Sequence, residues 1–397
     1  MPETGAEQAE RAHGIRQLKR LGFDVTVIAK VLSGVPEQNM QAAAREMGVR
    51  LVTVMYKYGN TAGSRTERFF RHLGKLRNPL YLDGAAYEFA ESEIQNALES
   101  EVQRAKPDFI MFDYSYLWPL YHIARAHGIP IATRSLNFEP THFLEEDGRS
   151  VSTYLRYVSK FLSELIVAWT SGVVIALSPY EADVYRRIGA RRTVVLPLRS
   201  LPPLLRESHE IRAGRPLHVF FMGSAYTVGH NERALDFVTG YVAPRAEKEF
   251  PGEFIFHISG SKIPPKYLSR FNGTNLIFEG YIDADKFSAY LDAMDIALSP
   301  SPKKVGMQQK VYEPLCRGIP LITAPCNTGE YPLRDGEHFL AANTPEEYFQ
   351  CLVKLRDAKL RTHLSEQSIK TSHELFAQSV IDKTLVDALK EYLRVTV

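Results

Sequence analysis

LSPSPKKVGMQQKVYEPLCRGIPLITAP, residues 298–325, reads as four pieces in succession. Ile296 to Leu298 closes an apolar strand, and Ser299 to Gln309 is a loop carrying Pro300, Pro302 and Gly306. Lys310 to Cys316 has a helical pattern stopped by Gly318, and Ile319 to Thr323 is the next strand. A strand that passes through a loop into a helix presents the unpaired N–H groups and the positive dipole end of that helix to the loop, which makes an anion site. Lys303, Lys304 and Lys310 add cations, and Glu313, three residues after Lys310, shares its helix face. Cations for a diphosphate beside a carboxylate for ribose hydroxyls are what a nucleotide-sugar needs. The same spacing is also that of an ordinary α/β unit with a solvated Lys–Glu pair.

The chain on either side keeps the alternation of strand and helix. Downstream of a Pro- and Gly-containing stretch, Leu198 to Pro216, come the strand Leu217 to Met222 and the segment GSAYTVGHNERAL. Gly223 and Ser224 read there as a tight strand-to-loop turn, and His230 or Asn231 as a helix start. Phe254 to Ser259 and Asn275 to Glu279 are strands, the second leading to Gly280-Tyr281, and Asp285 to Met294 is a helix. Thr344 and Glu347 have capping-box spacing. In the first half, Gly5 to Gly22 is a helix by its apolar period, followed by strands at Phe23 to Val31 and Val49 to Tyr56. Helices are expected at Tyr87 to Ala105, Leu117 to His127 and Tyr154 to Trp169. Strands are expected at Asp108 to Asp113, Ile129 to Arg134, Val173 to Leu177 and Val194 to Leu198. Ser135 to His142 is a loop at a strand's C-terminal edge, where open α/β sheets place ligands. Ser178, with Glu181 three residues on, caps the helix that follows.

The 397 residues are enough for two domains, each with its own core. A net charge of +2 gives no reason to expect a nucleic-acid partner. Cys316, Cys326 and Cys351 are odd in number and widely spaced, against a disulfide framework or a zinc site and in favour of a reducing cytoplasm. The apolar run from Leu165 to Leu177 is too short to span a bilayer, and the polar N-terminus shows no signal peptide.

The 298–325 stretch resembles the donor-site segment of GT-B glycosyltransferases, in particular retaining glycosyltransferase family four (glycosyl transferases group 1). There a strand ending in Pro-Ser leads through a Gly-containing loop into Lys-x-x-Glu-(Ala/Pro)-x-(Ala/Cys)-x-Gly-x-Pro, and Lys310, Glu313, Pro314, Gly318 and Pro320 match it. Glu313 falls on the second acid of the family's glutamate pair, which implies a ribose contact; Val305 stands where the first acid belongs. The resemblance implies two Rossmann-like domains facing each other across a cleft. The acceptor domain would be 1–200, the linker 201–216, the nucleotide-sugar donor domain 217–375, and 376–397 a helix crossing back. It implies donor contacts at Gly223, Ser224, Tyr281, Lys303, Lys304, Gly306, Met307, Gln308, Lys310 and Glu313, with no metal and no cofactor beyond the nucleotide-diphospho-sugar co-substrate. SLNFEPTH resembles the family's His-Asn-x-Glu loop: Asn137 and Glu139 match, Leu136 stands at the histidine, and Arg134 and His142 lie near enough to substitute. Lys310, Glu313, Asn137 and Glu139 are the catalytic candidates, and Asp113 or Glu139 would be the base of an inverting enzyme. PETGAEQ, with Gly5 and Glu7, resembles the loop after the family's first strand, so that strand is expected upstream of residue 1.

What the resemblance implies is transfer of a sugar, as from a UDP-sugar, to a glycan or lipid-linked acceptor in cell-envelope or exopolysaccharide synthesis. Two further classes stand beside it: a non-hydrolysing nucleotide-sugar epimerase, and a nucleotide-sugar-binding protein without turnover. Residues 57–77 carry Lys57, Arg65, Arg68, Arg71, Lys75 and Arg77 against Glu67, interleaved with Phe69, Phe70 and Leu73. That run reads either as a solvated helix or as a peripheral contact with an anionic membrane at its cytoplasmic face.

Overall fold

The structure is a computed structural model and describes residues 6–32, 37–56, 73, 78–82, 85–148, 150–227, 229–271, 275–302 and 306–393. It divides into two compact units. Unit 1 is Met1–Ser200 with Ile381–Val397, and unit 2 is Leu201–Val380.

Unit 1 begins with α1 (Ala6–Arg20), β1 (Thr26–Leu32), α2 (Glu37–Glu46) and β2 (Arg50–Tyr56). It continues with α3 (Ser92–Ala105), β3 (Ile110–Asp113), α4 (Tyr121–Ala126), β4 (Ile131–Arg134) and α5 (Glu139–Asp147). Then come α6 (Val151–Thr170), β5 (Val173–Ala176), α7 (Pro179–Arg187) and β6 (Thr193–Val195). Its strands are parallel and form two separate sheets, β1-β2 and β3-β4-β5-β6. β4 and β5 are buried at every position, as continuous apolar runs must be when both faces of a sheet are covered. Ala132, Val173, Ile175 and Leu196 pack against Ile381, Leu385 and Leu389 of the C-terminal helix Gln378–Leu393. Each large apolar side chain buried this way contributes roughly 1.5–3 kcal/mol.

Three elements differ from the sequence expectation. The helix expected at Tyr87 to Ala105 is a 3₁₀ turn, Ala86–Phe89, then a break before α3; Phe89 is held aside by stacking on Tyr116. The helix expected at Leu117 to His127 starts as a 3₁₀ segment, Ser115–Leu120, because Pro119 has no N–H to donate. The loop expected to run to His142 stops at Phe138, because Pro140 suits a helix's first turn and α5 begins at Glu139. His142 is therefore a helix residue. Gly5 and the basic run 57–77, apart from exposed Leu73, lie outside the described residues.

Unit 2 contains β7 (Leu217–Ala225), α8 (Gly229–Phe237), α9 (Ala243–Glu249), β8 (Phe254–Ser261), α10 (Pro265–Leu268) and β9 (Leu276–Gly280). After them come α11 (Ala284–Asp292), β10 (Ile296–Ser299), α12 (Gln309–Arg317), β11 (Leu321–Thr323), β12 (Leu340–Ala341), α13 (Pro345–Lys354) and α14 (Ala358–Phe376). Six parallel strands stand in the order β12-β11-β10-β7-β8-β9. The chain leaves β7 toward β8 and β9, then returns to lay β10 on β7's other side, with Ile296 beside Val219 and Leu298 beside Phe221. The C-terminal ends of β7 and β10 thus border a topological switch point, the crevice where doubly wound sheets bind ligands. Leu217, Val219, Phe221, Phe254, Phe256, Ile258, Ile296 and Leu298 form the core beneath it. Thr344 and Glu347 make a reciprocal capping box at the start of α13.

Gly223 and Ser224 do not form a turn; they remain in β7, where a register shift against β8 falls between Met222 and Ala225. The glycine is needed for packing. A Cβ on Gly223 would lie 2.5 Å from the ring of Tyr226, and one on Gly260 would lie 2.4 Å from the Gly223 carbonyl oxygen. Among the described residues no helix is long and apolar enough to cross a membrane. The three cysteines are free, with Cys316 and Cys351 buried.

Candidate functional site

At the switch point of unit 2, α12 starts from Gln308, whose backbone is extended and whose side chain makes no cap onto the helix. The Gln308 amide instead donates to Asn327 Oδ1 at 3.1 Å. Asn327 donates in turn to the Ser301 carbonyl at 3.2 Å and to Thr323 Oγ1 at 2.8 Å. One buried amide thereby fixes both ends of the loop between β10 and α12 against β11. The loop also touches the first turn of α8, since Ser301 Oγ donates to the His230 carbonyl at 3.4 Å. Asn231 closes the β7–α8 connection by donating to the Ala225 carbonyl at 3.1 Å. Gly306 takes φ +75°, and Met307 is buried with its sulfur accepting from the Tyr331 hydroxyl at 3.7 Å. The helix start is therefore held in place with no cap from the Gln308 side chain, and partly exposed Lys310 stands in its first turn. Lys303, Lys304 and Val305 lie outside the described residues, as does the side chain of Ser224.

Glu313 is not on a solvated face with Lys310. It is 1% exposed. Its Oε1 accepts from Arg317 Nε at 3.0 Å and Nη2 at 2.9 Å, and its Oε2 accepts from Gln309 Nε2 at 3.0 Å. Arg317, equally buried, also donates to Asp292 Oδ1 at 2.7 Å and Ser288 Oγ at 3.1 Å. The i,i+4 arginine outcompetes water for the carboxylate because both side chains project into the packed side of α12. A carboxylate has about four acceptor positions, so Oε2 keeps capacity for a further donor. Tyr281 lies just past β9 and is 68% exposed.

In unit 1 the segment after β4 is tied down at Ser135, Asn137, Phe138 and Glu139. Ser135 Oγ donates to the Asn137 carbonyl at 2.9 Å, and the Phe138 N–H donates to Glu181 Oε1 at 2.7 Å. The Glu139 carboxylate pairs with Lys160 at 3.4 Å, Asn137 is half-buried and Leu136 is buried. Ser178 caps α7 as expected, accepting from the Glu181 N–H, while the Glu181 carboxylate accepts from the Ser178 hydroxyl and from the Phe138 N–H of the 135–139 segment.

Arg134 does not stand in for the missing histidine. It is fully buried and donates to Glu10 Oε1 at 2.6 Å and to the Leu196 and Pro197 carbonyls. Burial, together with neighbouring Arg199, lowers its pKa to about 10. Arg199 donates to the same Glu10 oxygen at 2.8 Å and to Asp113 at 3.4 Å, and the carboxylates Glu10 and Asp113 hold its pKa above the ordinary value despite burial. Glu7 lies in α1, and its side chain is outside the described residues.

Sequence reasoning missed Arg317, Asn327, Glu10 and Arg199. Arg317 was legible as an i,i+4 partner of Glu313. Asn327 joins Thr323, Gln308 and Ser301, four to 26 residues away, through packing that spacing alone does not reveal, and Glu10 and Arg199 act across 189 residues that no local pattern records.

Residues 216–357 match the family described as Glycosyl transferases group 1. Among solved structures, sucrose-phosphate synthase from Thermosynechococcus elongatus is similar with a TM-score of 0.68 and 14% identity, over 99% of this chain and 94% of that one. Anabaena HepE in complex with UDP and glucose has a TM-score of 0.63 and 11% identity, over 97% and 95%. A glycosyltransferase from Rickettsia africae has a TM-score of 0.62 and 12% identity, over 100% and 97%. No curated protein matches significantly.

Proposed function

We propose that this chain, a glycosyltransferase of the GT-B fold whose residues 216–357 match the group 1 family, transfers a sugar from a nucleotide-diphospho-sugar bound at the switch point of unit 2. The observation that carries the reading is the start of α12 at that point, where the Gln308 side chain makes no cap and Lys310 stands in the first turn. As the bond from the anomeric carbon to phosphate breaks, negative charge grows on the leaving diphosphate. Lys310 and the amides of the helix start stabilise that charge as it develops, without rearranging. They supply the neutralisation that a divalent cation supplies elsewhere, so transfer is metal-independent in this reading.

HepE, solved with UDP, supports a UDP-sugar as the donor. Glu313 Oε2 is the acceptor for a ribose hydroxyl, and exposed Tyr281 borders the base. The match of Lys310 and Glu313 to the retaining pattern supports retention, with the leaving phosphate taking the acceptor's proton. The segment after β4, with Asn137 and Glu139, is the acceptor side, for a glycan or a lipid-linked acceptor of the cell envelope. The test is release of nucleoside diphosphate from a panel of nucleotide-sugars, with and without acceptor extract and with and without chelator. Acceptor-dependent release that survives chelation supports the reading; no release with any donor contradicts it. The firm hold of Arg317 on Glu313, with Val305 at the first acid position, favours a second reading, a nucleotide-sugar-binding protein without turnover. It would bind nucleotide and release nothing.

A further inference from the structure

Glu164 lies on α6, 1% exposed, behind the segment that follows β4. Its Oε1 accepts from Ser115 Oγ at 2.8 Å and faces the Glu139 N–H at 3.4 Å. Its Oε2 is 2.6 Å from the Tyr185 hydroxyl. Among the described residues none of its partners is a cation; nearby Lys160 is held by Glu139. The protons in this cluster can be assigned one by one. The Asn137 carbonyl only accepts, so the Ser135 hydroxyl proton points to it at 2.9 Å. Ser135 Oγ therefore accepts from the Tyr185 hydroxyl, 2.9 Å away. That uses the single proton of Tyr185, and the short contact to Glu164 then requires a proton on the carboxyl.

We propose that Glu164 is a neutral, proton-carrying positioning residue. Its O–H donates to Tyr185, Tyr185 to Ser135, and Ser135 to the Asn137 carbonyl, and this relay sets the backbone of residues 135–139. The acceptor role of that segment rests on the function proposed above; the placement of the proton does not. An unpaired buried carboxylate is costly, so the group keeps its proton instead. Burial, with the charge of Glu139, pushes its pKa up to about 8. The other titratable groups facing the cluster are Tyr121, Tyr185, Glu181 and the Glu139–Lys160 pair.

The sign of the pH effect follows. The unfolded chain loses this proton near the ordinary glutamate value of about 4.3, whereas the folded chain keeps it to about pH 8. The stability contribution of Glu164 is complete below the unfolded value and is lost as pH rises toward the folded one, about tenfold in the folding constant per pH unit. Trp118 and Trp169 both lie in unit 1, and Trp118 Nε1 donates to Ser163 beside Glu164, so tryptophan fluorescence reports on this region.

The experiment is urea denaturation of the full chain from pH 5 to 8, for wild type and Glu164→Gln, whose amide copies the protonated acid. The folding constant of wild type should fall relative to the variant by about tenfold per pH unit. A ratio that does not change with pH would overturn the proposal. Tyr185→Phe breaks the relay, keeping the Glu164 carboxyl in the chain but removing its hydroxyl partner. It should raise KM for acceptor several-fold and leave nucleotide affinity unchanged; an unchanged acceptor KM with intact turnover would remove the positioning role. Failure of the donor reading would appear separately, as loss of nucleotide binding in wild type.

Discussion

Replacing Glu313 by alanine removes the acceptor of three hydrogen bonds, two from Arg317 and one from Gln309. It leaves a guanidinium that is 1% exposed at its side chain. Breaking a buried ion pair from one side costs about 3–5 kcal/mol. Arg317 keeps Asp292 and Ser288, so the lower end, about 3 kcal/mol, is expected. For a unit the size of Leu201–Val380 this corresponds to a melting temperature lower by roughly 6–12 °C. Glu313→Gln keeps a carbonyl oxygen for Arg317 and should cost only about 1–2 kcal/mol. Differential scanning calorimetry of the ligand-free chain resolves the two. An alanine variant melting within about 1 °C of wild type would refute the idea that Glu313 is a structural keystone of α12. The corollary is practical: loss of ligand binding in Glu313→Ala would not separate a ribose contact from a loosened helix, so Lys310 is the better probe of the site.

Asn327→Ala removes the donor to Ser301 and Thr323 and the acceptor for Gln308; it should destabilise by about 1–3 kcal/mol and raise KM for the donor substrate several-fold. Glu10→Ala strands two buried arginines, Arg134 and Arg199, and should cost about 3–5 kcal/mol in chemical denaturation followed by tryptophan fluorescence. Gly260→Ala places a Cβ against the Gly223 carbonyl at φ +138° and should cost about 1–3 kcal/mol, read as a lowered melting temperature.

The strands were legible wherever burial on both faces leaves a plain apolar run, as at Ile131–Arg134, Val173–Ala176 and Ile296–Ser299. The Thr344 capping box was legible because it is a local hydrogen-bond pattern four residues long. That unit 2 alternates strands and helices as a Rossmann-like domain does followed from the βαβ alternation and the matched motif; its strand order, and with it the switch point, comes from the structure. Side-chain burial did not follow either. Lys310 and Arg317 are each spaced to face Glu313 on a helix, and only packing of α12 turns the carboxylate toward Arg317. Gly223 looked like a residue chosen for close approach to a ligand, yet the approach it permits is that of Tyr226. Arg134, placed by the sequence at a ligand-binding strand edge, is consumed by Glu10 at a distance of 124 residues. Glu10 is far from Arg134 in sequence, beyond any local reading; Arg317 and Tyr226 lie within four residues of Glu313 and Gly223, and there it is tertiary packing that chooses among partners the spacing leaves open.

The central claim, that the start of α12 holds a nucleoside diphosphate, is tested most directly by thermal stabilisation. UDP, GDP, ADP and CMP would be added to wild type and to Lys310→Met. A ligand that binds the folded state stabilises it by mass action, about 2.7 kcal/mol at a hundredfold excess over its dissociation constant. The account predicts that one diphosphate, UDP first among them, raises the melting temperature of wild type and that Lys310→Met abolishes the shift, each protein being compared with its own ligand-free melting temperature. No shift with any nucleotide, or an equal shift in both proteins, would contradict it.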